Sequence, residues 1–195
     1  SMNEEQQKPK PTDAVLGDLK NRLESPKQQE RITALQQAID YGDEGLKLVK
    51  EASYLDRREL ASNPKTPKAL LQQLAIDEDK EVRRRVASNP KTPKALLQQL
   101  ALDKDVDVQK FAIEALVEVA SNPKTPEALL QQLALDRSRF VRQRVARNPK
   151  TPKALLQQLA LDKDVDLQNF AIKALVEVAS NPKTPEALLQ QLALD

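Results

Sequence analysis

Cysteine, histidine and tryptophan are missing from this chain, and glycine occurs only three times in 195 residues. Each absence removes a class of chemistry. Without thiols or imidazoles there is no zinc or iron–sulfur site, thiol nucleophile, imidazole base or Ser-His-Asp triad. No disulfide can form, so the sequence carries no mark of an oxidising compartment. The glycines stand apart at Gly17, Gly42 and Gly45, which leaves no glycine-rich phosphate cradle. Aromatic residues amount to 3%, too few for a base-stacking surface. No apolar run approaches the ~18 residues of a membrane span and no signal peptide is visible. A cytoplasmic chain without membrane contact, cofactor, metal or enzymatic activity is therefore expected.

Charge is abundant but balanced. Lysine and arginine number 31 against 29 acids, a net +2, far from the profile of a bulk nucleic-acid binder.

Repetition is what the sequence has most of. The phrase ASNPKTP starts at Ala61, Ala87 and Ala120, reappears as ARNPKTP at Ala146 and returns at Ala179. The array alternates 26- and 33-residue units, at 61–86, 87–119, 120–145 and 146–178 with a partial 179–195, and has a super-period of 59. Residues 120–136 and 179–195 are identical. Recent duplication and consensus construction would both produce such uniformity.

Each unit reads as two helices. Asn63-Pro64 stops one helix, because a residue before proline is pushed out of the α region. Thr66 is placed to cap the next helix A, with Pro67 at its first position. Leu70, Leu71, Leu74 and Ala75 then share one side while Gln72 and Gln73 face away. Asp79 starts helix B, in which Val82 and Val86 lie one turn apart. In the long units Val108 and Ala112 align with that pair. The seven extra residues extend helix B through Ala115, Leu116 and Val119, about two turns, so the apolar stripe keeps its phase. Neither helix can cover its apolar face alone, which is the logic of an all-α solenoid of stacked helix pairs.

The combination NPKTP, ALLQQLALD and V-R-x-R-V-A resembles the leucine-rich repeat variant family over roughly 61–195. That resemblance implies a right-handed superhelix, some of its helices 3₁₀, and no settled activity. Two departures stand out. A cysteine-free chain cannot carry the iron–sulfur domain found in some members, and the 33-residue units look more like HEAT or armadillo repeats.

The ends differ from the array. Residues 1–11 should be a disordered tail, with Ser1-Met2 an expression scar. Residues 12–60 read as a divergent helical N-terminal cap, including an amphipathic stretch over 13–24 and a capping box at Ser25-Pro26-Lys27-Gln28. Gly42 suits a helix end, Asp43 the next start, and Ser53 the start of a first helix B. The chain stops at Asp195 after a helix A with an unaltered apolar face. That suggests truncation, or end-to-end self-association through this uncapped helix.

Candidate function lies in what varies between units. Glu81/Phe140, Arg84/Gln143, Lys110/Asn169 and Glu114/Lys173 differ between copies and project to one stripe of helix B, opposite the valines. A groove tuned for a protein or peptide is one reading; drift on a solvated face is the other. A basic patch comprises Arg83, Arg85, Arg139, Arg142 and Arg144. It could grip phosphates or an acidic partner, unless it is a salt-bridged face with Asp77, Glu78, Asp79 and Glu81 beside it. The loop lysines Lys65, Lys91, Lys124, Lys150 and Lys183 form a second basic ridge. Phe140 either anchors a partner or packs against a neighbour's loop, the commoner fate, while Phe111 and Phe170 read as core. The repeated asparagines Asn63, Asn89, Asn122, Asn148 and Asn181 read as structural, satisfying loop backbone groups between stacked units. Asp105 and Asp164 read as helix caps. A protein-binding scaffold leads; nucleic-acid binding, or a designed or excised array without a native ligand, are the alternatives.

Overall fold

The structure, a computed structural model, describes residues 12–180. The tail at 1–11, the loop residues Asn181 and Lys183, and the terminal helix invoked for self-association lie outside the described residues. Within them every regular element is a helix. The first four are α1 (Asp13–Leu23), α2 (Gln28–Gln37), α3 (Gly42–Glu51) and α4 (Tyr54–Ser62), with a 3₁₀ turn at Ala38–Tyr41. Helix pairs follow: α5 (Lys68–Leu74) with α6 (Lys80–Ser88), then α7 (Lys94–Leu100) with α8 (Val106–Ser121). The pattern repeats as α9 (Glu127–Leu133) with α10 (Arg139–Arg147), and α11 (Lys153–Leu159) with α12 (Val165–Ser180). The chain divides into two compact units, the boundary falling within α8 between Ala112 and Ile113.

Helix A is short because proline starts it and a tight turn ends it. Its apolar side is buried as the periodicity predicts: Leu70, Leu71 and Leu74 in α5, Leu155, Leu156 and Leu159 in α11. Each such leucine contributes about 1.5–3 kcal/mol on burial. Gln72 is exposed, but Gln73 is half-buried and donates to the Leu46 carbonyl at 2.9 Å. It is a packing contact, not a solvent residue.

Helix B layers pack on one another, α4 against α6 in the first unit and α10 against α12 in the second. Val82, Val86, Val141 and Val145 are fully buried between them. The short B helices α6 and α10 have 9 residues and the long ones, α8 and α12, have 16, each unbroken. The added turns of α8 bury Leu116 and Ala120, so two extra turns keep the stripe in phase. Of the described helices only Ala38–Tyr41 is 3₁₀; every described helix of the repeat units is α.

The turn between units departs from the expected cap. Thr66 does not cap helix A. Its hydroxyl donates to the Leu60 carbonyl at 2.6 Å, and Pro67 itself occupies the N-cap position. Thr92, Thr125 and Thr151 repeat that bond at the same length. The cause is the preceding asparagine: Asn63 Oδ1 accepts from Lys65 N and Asn63 O from Thr66 N. This tight turn folds the threonine back beneath the helix it follows, where a C-terminal carbonyl lacks a partner.

At the N-terminal side, Ser53 caps α4 by accepting from Asp56 N. The capping box at Ser25 is displaced: α2 begins at Gln28 with Lys27 as N-cap, and Ser25 pairs with Lys27 N and Glu30 instead of Gln28. Pro26 fixes the chain too early for the helix to start there. Gly42 sits at φ 62°, a conformation open to glycine. Gly45 is needed for a different reason, since a Cβ there would meet the Ala38 carbonyl oxygen at 1.8 Å.

Candidate functional site

The arginines of helix B divide into two kinds once their surroundings are compared. Arg83 and Arg142 are only 5% and 6% exposed. Arg83 Nε donates to Asp103 Oδ2 at 2.9 Å, its Nη2 to Oδ1, and its Nη1 to the Asp77 carbonyl at 2.7 Å. Arg142 makes the same three bonds to Asp162 and Asp136. Asp103 and Asp162 are held in turn, because their Oδ1 atoms accept from Asp105 N and Asp164 N. Arg57 with Asp77, and Arg31 with Asp56, form earlier versions of this clamp. A buried, forked arginine with every donor direction used is a structural rivet between successive units. Arg83 and Arg142 therefore leave the basic patch. Their charge is committed inside the fold, to an aspartate in the loop between the two helices of the next unit, and not to the acids beside them.

The long helices carry glutamine at this position. Gln109 and Gln168 donate to the Asp103 and Asp162 carbonyls. The arginine excess of the short units thus follows in part from which units build clamps.

Asparagine plays the same part in the turns. Asn89 Nδ2 reaches back to the carbonyls of Ala61 and Asn63 at 2.8 and 3.0 Å, and Asn148 Nδ2 to those of Ala120 and Asn122 at 2.8 and 2.9 Å. Both asparagines are buried, as their structural reading requires. Asp105 Oδ1 accepts from Asp107 N and Val108 N, and Asp164 Oδ1 from Leu167 N, so both cap the long helices. The Leu167 amide, then the Gln143 side chain and the cations of Arg139 and Arg142, hold the Asp164 carboxyl below the usual aspartate range, against partial desolvation.

The remaining candidates stand on the surface. Lys110, Glu114, Phe140, Asn169 and Lys173 are exposed, and Glu81, Arg84 and Gln143 half-exposed. In the first copy Arg84 pairs with Glu81 and lies 5.3 Å over the Phe111 ring. Arg85 Nη1 donates to Ser62 Oγ at 3.2 Å. In the second copy Gln143 donates to Asp164 Oδ1 at 3.3 Å, and Arg139 lies 3.8 Å from the other oxygen. Arg144 is exposed. Phe111 and Phe170 are half-buried, not core; each has an arginine over one face. Phe140 is 52% exposed, with Arg139 of its own helix 5.1 Å over the ring. It does not pack into a neighbour's loop because its position, two residues from the Ser138 N-cap, lies on the outer arc of α10. No group of three metal-binding side chains occurs among the described residues, and no described helix is long and apolar enough to cross a membrane.

The profile of the leucine-rich repeat variant domain matches this chain twice, at residues 56–112 and 114–169, each close to one super-period and together more than half its length. The chain belongs to the leucine-rich repeat variant family. No curated protein matches it. A crystal structure described as an engineered protein is similar at 18% identity, covering 84% of this chain and 79% of that one, with a TM-score of 0.31; a likeness of that degree carries no argument about shape.

With the family in place, the differences between its two 59-residue copies can be located. Residues 61–119 and 120–178 differ at eleven positions. Ten are exposed or half-exposed in both copies, and only Val108/Leu167 is buried. Six of the eleven fall within 78–88 and its counterpart 137–147, on the short helix B and the loop before it. What the sequence hid were the clamp acids Asp103 and Asp162, which look like ordinary loop carboxylates. The signal was available: the interval from Arg83 to Asp103 recurs unchanged from Arg57 to Asp77 and from Arg142 to Asp162.

Proposed function

We propose that this leucine-rich repeat variant chain is a non-enzymatic scaffold whose exposed helix B face binds a protein or peptide. The residues offered for contact are Glu81, Arg84, Lys110 and Glu114 in the first copy and Phe140, Gln143, Asn169 and Lys173 in the second. The reading extends to a right-handed stack of alternating 26- and 33-residue units. One observation carries it. The copies keep their clamps, their turns and all of the core but the Val108/Leu167 pair, while most of their surface changes concentrate on a single helix and its leading loop, where drift alone would scatter them. A constant frame with a variable face is how repeat arrays build different binding surfaces.

Selection of peptides from a random display library on the immobilised chain tests this. Selected peptides should lose binding on substitution of Phe140→Ala together with Lys173→Ala. Ligands unaffected by every helix B substitution, or no selectable peptide at all, would refute the proposal. Nucleic-acid binding keeps Arg85, Arg139 and Arg144 of its original patch and loses Arg83 and Arg142, so the peptide reading is preferred.

A further inference from the structure

Helix α10 and the loop before it are more basic than their counterparts at α6. KEVRRRVAS in the first copy becomes RFVRQRVAR in the second, and the leading loop changes Glu78 and Asp79 to Arg137 and Ser138. Two acids and a carboxylate cap are gone, and three arginines are gained for one lost. At 100° per residue the five unburied positions of α10 fall on one arc in the order Arg139, Gln143, Arg147, Phe140, Arg144. Val141, Arg142, Val145 and Ala146 fill the other side and are buried. No acid lies on the helix.

The acids around α10 are already engaged. Asp162 is clamped by Arg142, Asp164 accepts from Leu167 N, Gln143 and Arg139, and Asp136 Oδ1 accepts from Ser138 N. The arginines of the arc are not all so committed. Arg147 lies 5.0 Å over the Phe170 ring, which leaves its charge uncompensated. Arg144 and Arg137 have no acceptor for their guanidinium groups among the described residues. Arg137 also lines a surface groove of about 690 Å³ with Leu135 and Lys163, over the Arg142–Asp162 pair. Leu135 is 73% exposed there.

We propose that the α10 face of the second unit recognises an acidic peptide segment bearing an apolar or aromatic residue: carboxylates to Arg137, Arg144 and Arg147, the apolar side chain to Phe140 and Leu135. This rests on the scaffold reading above and narrows its partner. Charge complementarity decides the occupant, since a free guanidinium meets a carboxylate in bidentate geometry. A nucleic acid fits less well. Phosphate-backbone binding draws on about 6–10 cation contacts in typical cases, whereas this arc offers about half that number and one exposed ring.

Fluorescence anisotropy with the full chain and three labelled 12-residue probes tests the assignment. One carries glutamates around a central leucine and tyrosine, one has every glutamate replaced by glutamine, and one by lysine. The glutamate probe should bind about tenfold or more tighter than the other two at 50 mM salt, and weaken as salt rises. Arg137→Glu with Arg144→Glu should abolish that preference, with an unchanged circular dichroism spectrum showing the variant folded. Phe140→Ala should weaken the glutamate and glutamine probes alike, while Glu44→Gln on the exposed side of α3 leaves both unchanged. Equal affinity for all three probes, or tighter binding to a 20-base-pair duplex with a steep salt slope, overturns the acidic-peptide assignment. If library peptides bind through α10 without acidic character, this proposal falls and the scaffold reading stands; if nothing binds, both fall.

Discussion

Helices α6 and α10 occupy the same place in two nearly identical 59-residue copies, and they do the same structural job with different surfaces. Both bury two valines, send an arginine to a loop aspartate of the next unit, and end on an asparagine that reaches back to the preceding turn. Outside that inventory they part. Helix α6 has part of its charge offset, with Glu81 on Arg84 and Lys80 3.9 Å from Asp105, and its N-cap Asp79 accepts from Glu81 N. Helix α10 carries no acid, and its N-cap Ser138 makes no side-chain cap bond. Burial and hydrogen-bond satisfaction therefore constrain one half of each helix closely and the other half far less.

One pair of changes shows the limit of that freedom. Arg84, which stacks on Phe111, is replaced by Gln143; Ser88 is replaced by Arg147, which stacks on Phe170. The cation over the ring survives although the residue supplying it has moved one turn along. A half-buried phenylalanine edge is covered in both copies.

The clamps should show the largest effects. Arg83→Ala, and separately Arg142→Ala, leave a half-buried aspartate without its cation and the clamped carbonyls without their donor, and each is expected to cost about 3 kcal/mol in urea titration. Arg144→Ala should stay within about 0.5 kcal/mol. Similar losses for all three would erase the distinction between rivet and free arginine. Next comes the turn. Asn89→Ala and Asn148→Ala remove three hydrogen bonds each, two from Nδ2 and one to Oδ1, and should cost about 1–3 kcal/mol. Asn63→Ala, with its turn bond to Lys65 N, should cost less.

Exchange between the copies gives smaller, signed effects. Ser138→Asp should stabilise by about 0.3–1 kcal/mol through capping and the helix dipole, and Asp79→Ser should do the reverse. Arg147→Ser should lose about 0.5–1 kcal/mol, and adding Gln143→Arg should restore most of it if the cation over Phe170 is what matters. The least effect concerns acid. Because Asp164 is held below its usual range in the folded chain, its contribution is complete above the unfolded aspartate value near ~3.9 and fades as pH falls through the lower folded value. Asp164→Asn should flatten that part of a stability–pH curve measured between about pH 5 and pH 2.

Period and phase were written in the chain: the ASNPKTP marks, the leucine side of helix A, the valine pair and the seven-residue increment each follow from 3.6 residues per turn acting on local sequence. So did the caps at Ser53, Asp79, Asp105 and Asp164, since a cap bond spans only a short stretch of chain. The threonine, the N-terminal capping box and the phenylalanines were misread because each has two partners within reach, and only packed coordinates choose between them. Which arginine is buried is the sharpest case. Arg83, Arg84 and Arg85 are consecutive and chemically identical, yet one is riveted to Asp103, one paired on the surface and one bonded to Ser62. Helical geometry aims them 100° apart; Glu81 of the same helix meets Arg84, but the aspartate that takes Arg83 and the hydroxyl that takes Arg85 come from neighbouring units, and those neighbours are set by the tertiary fold.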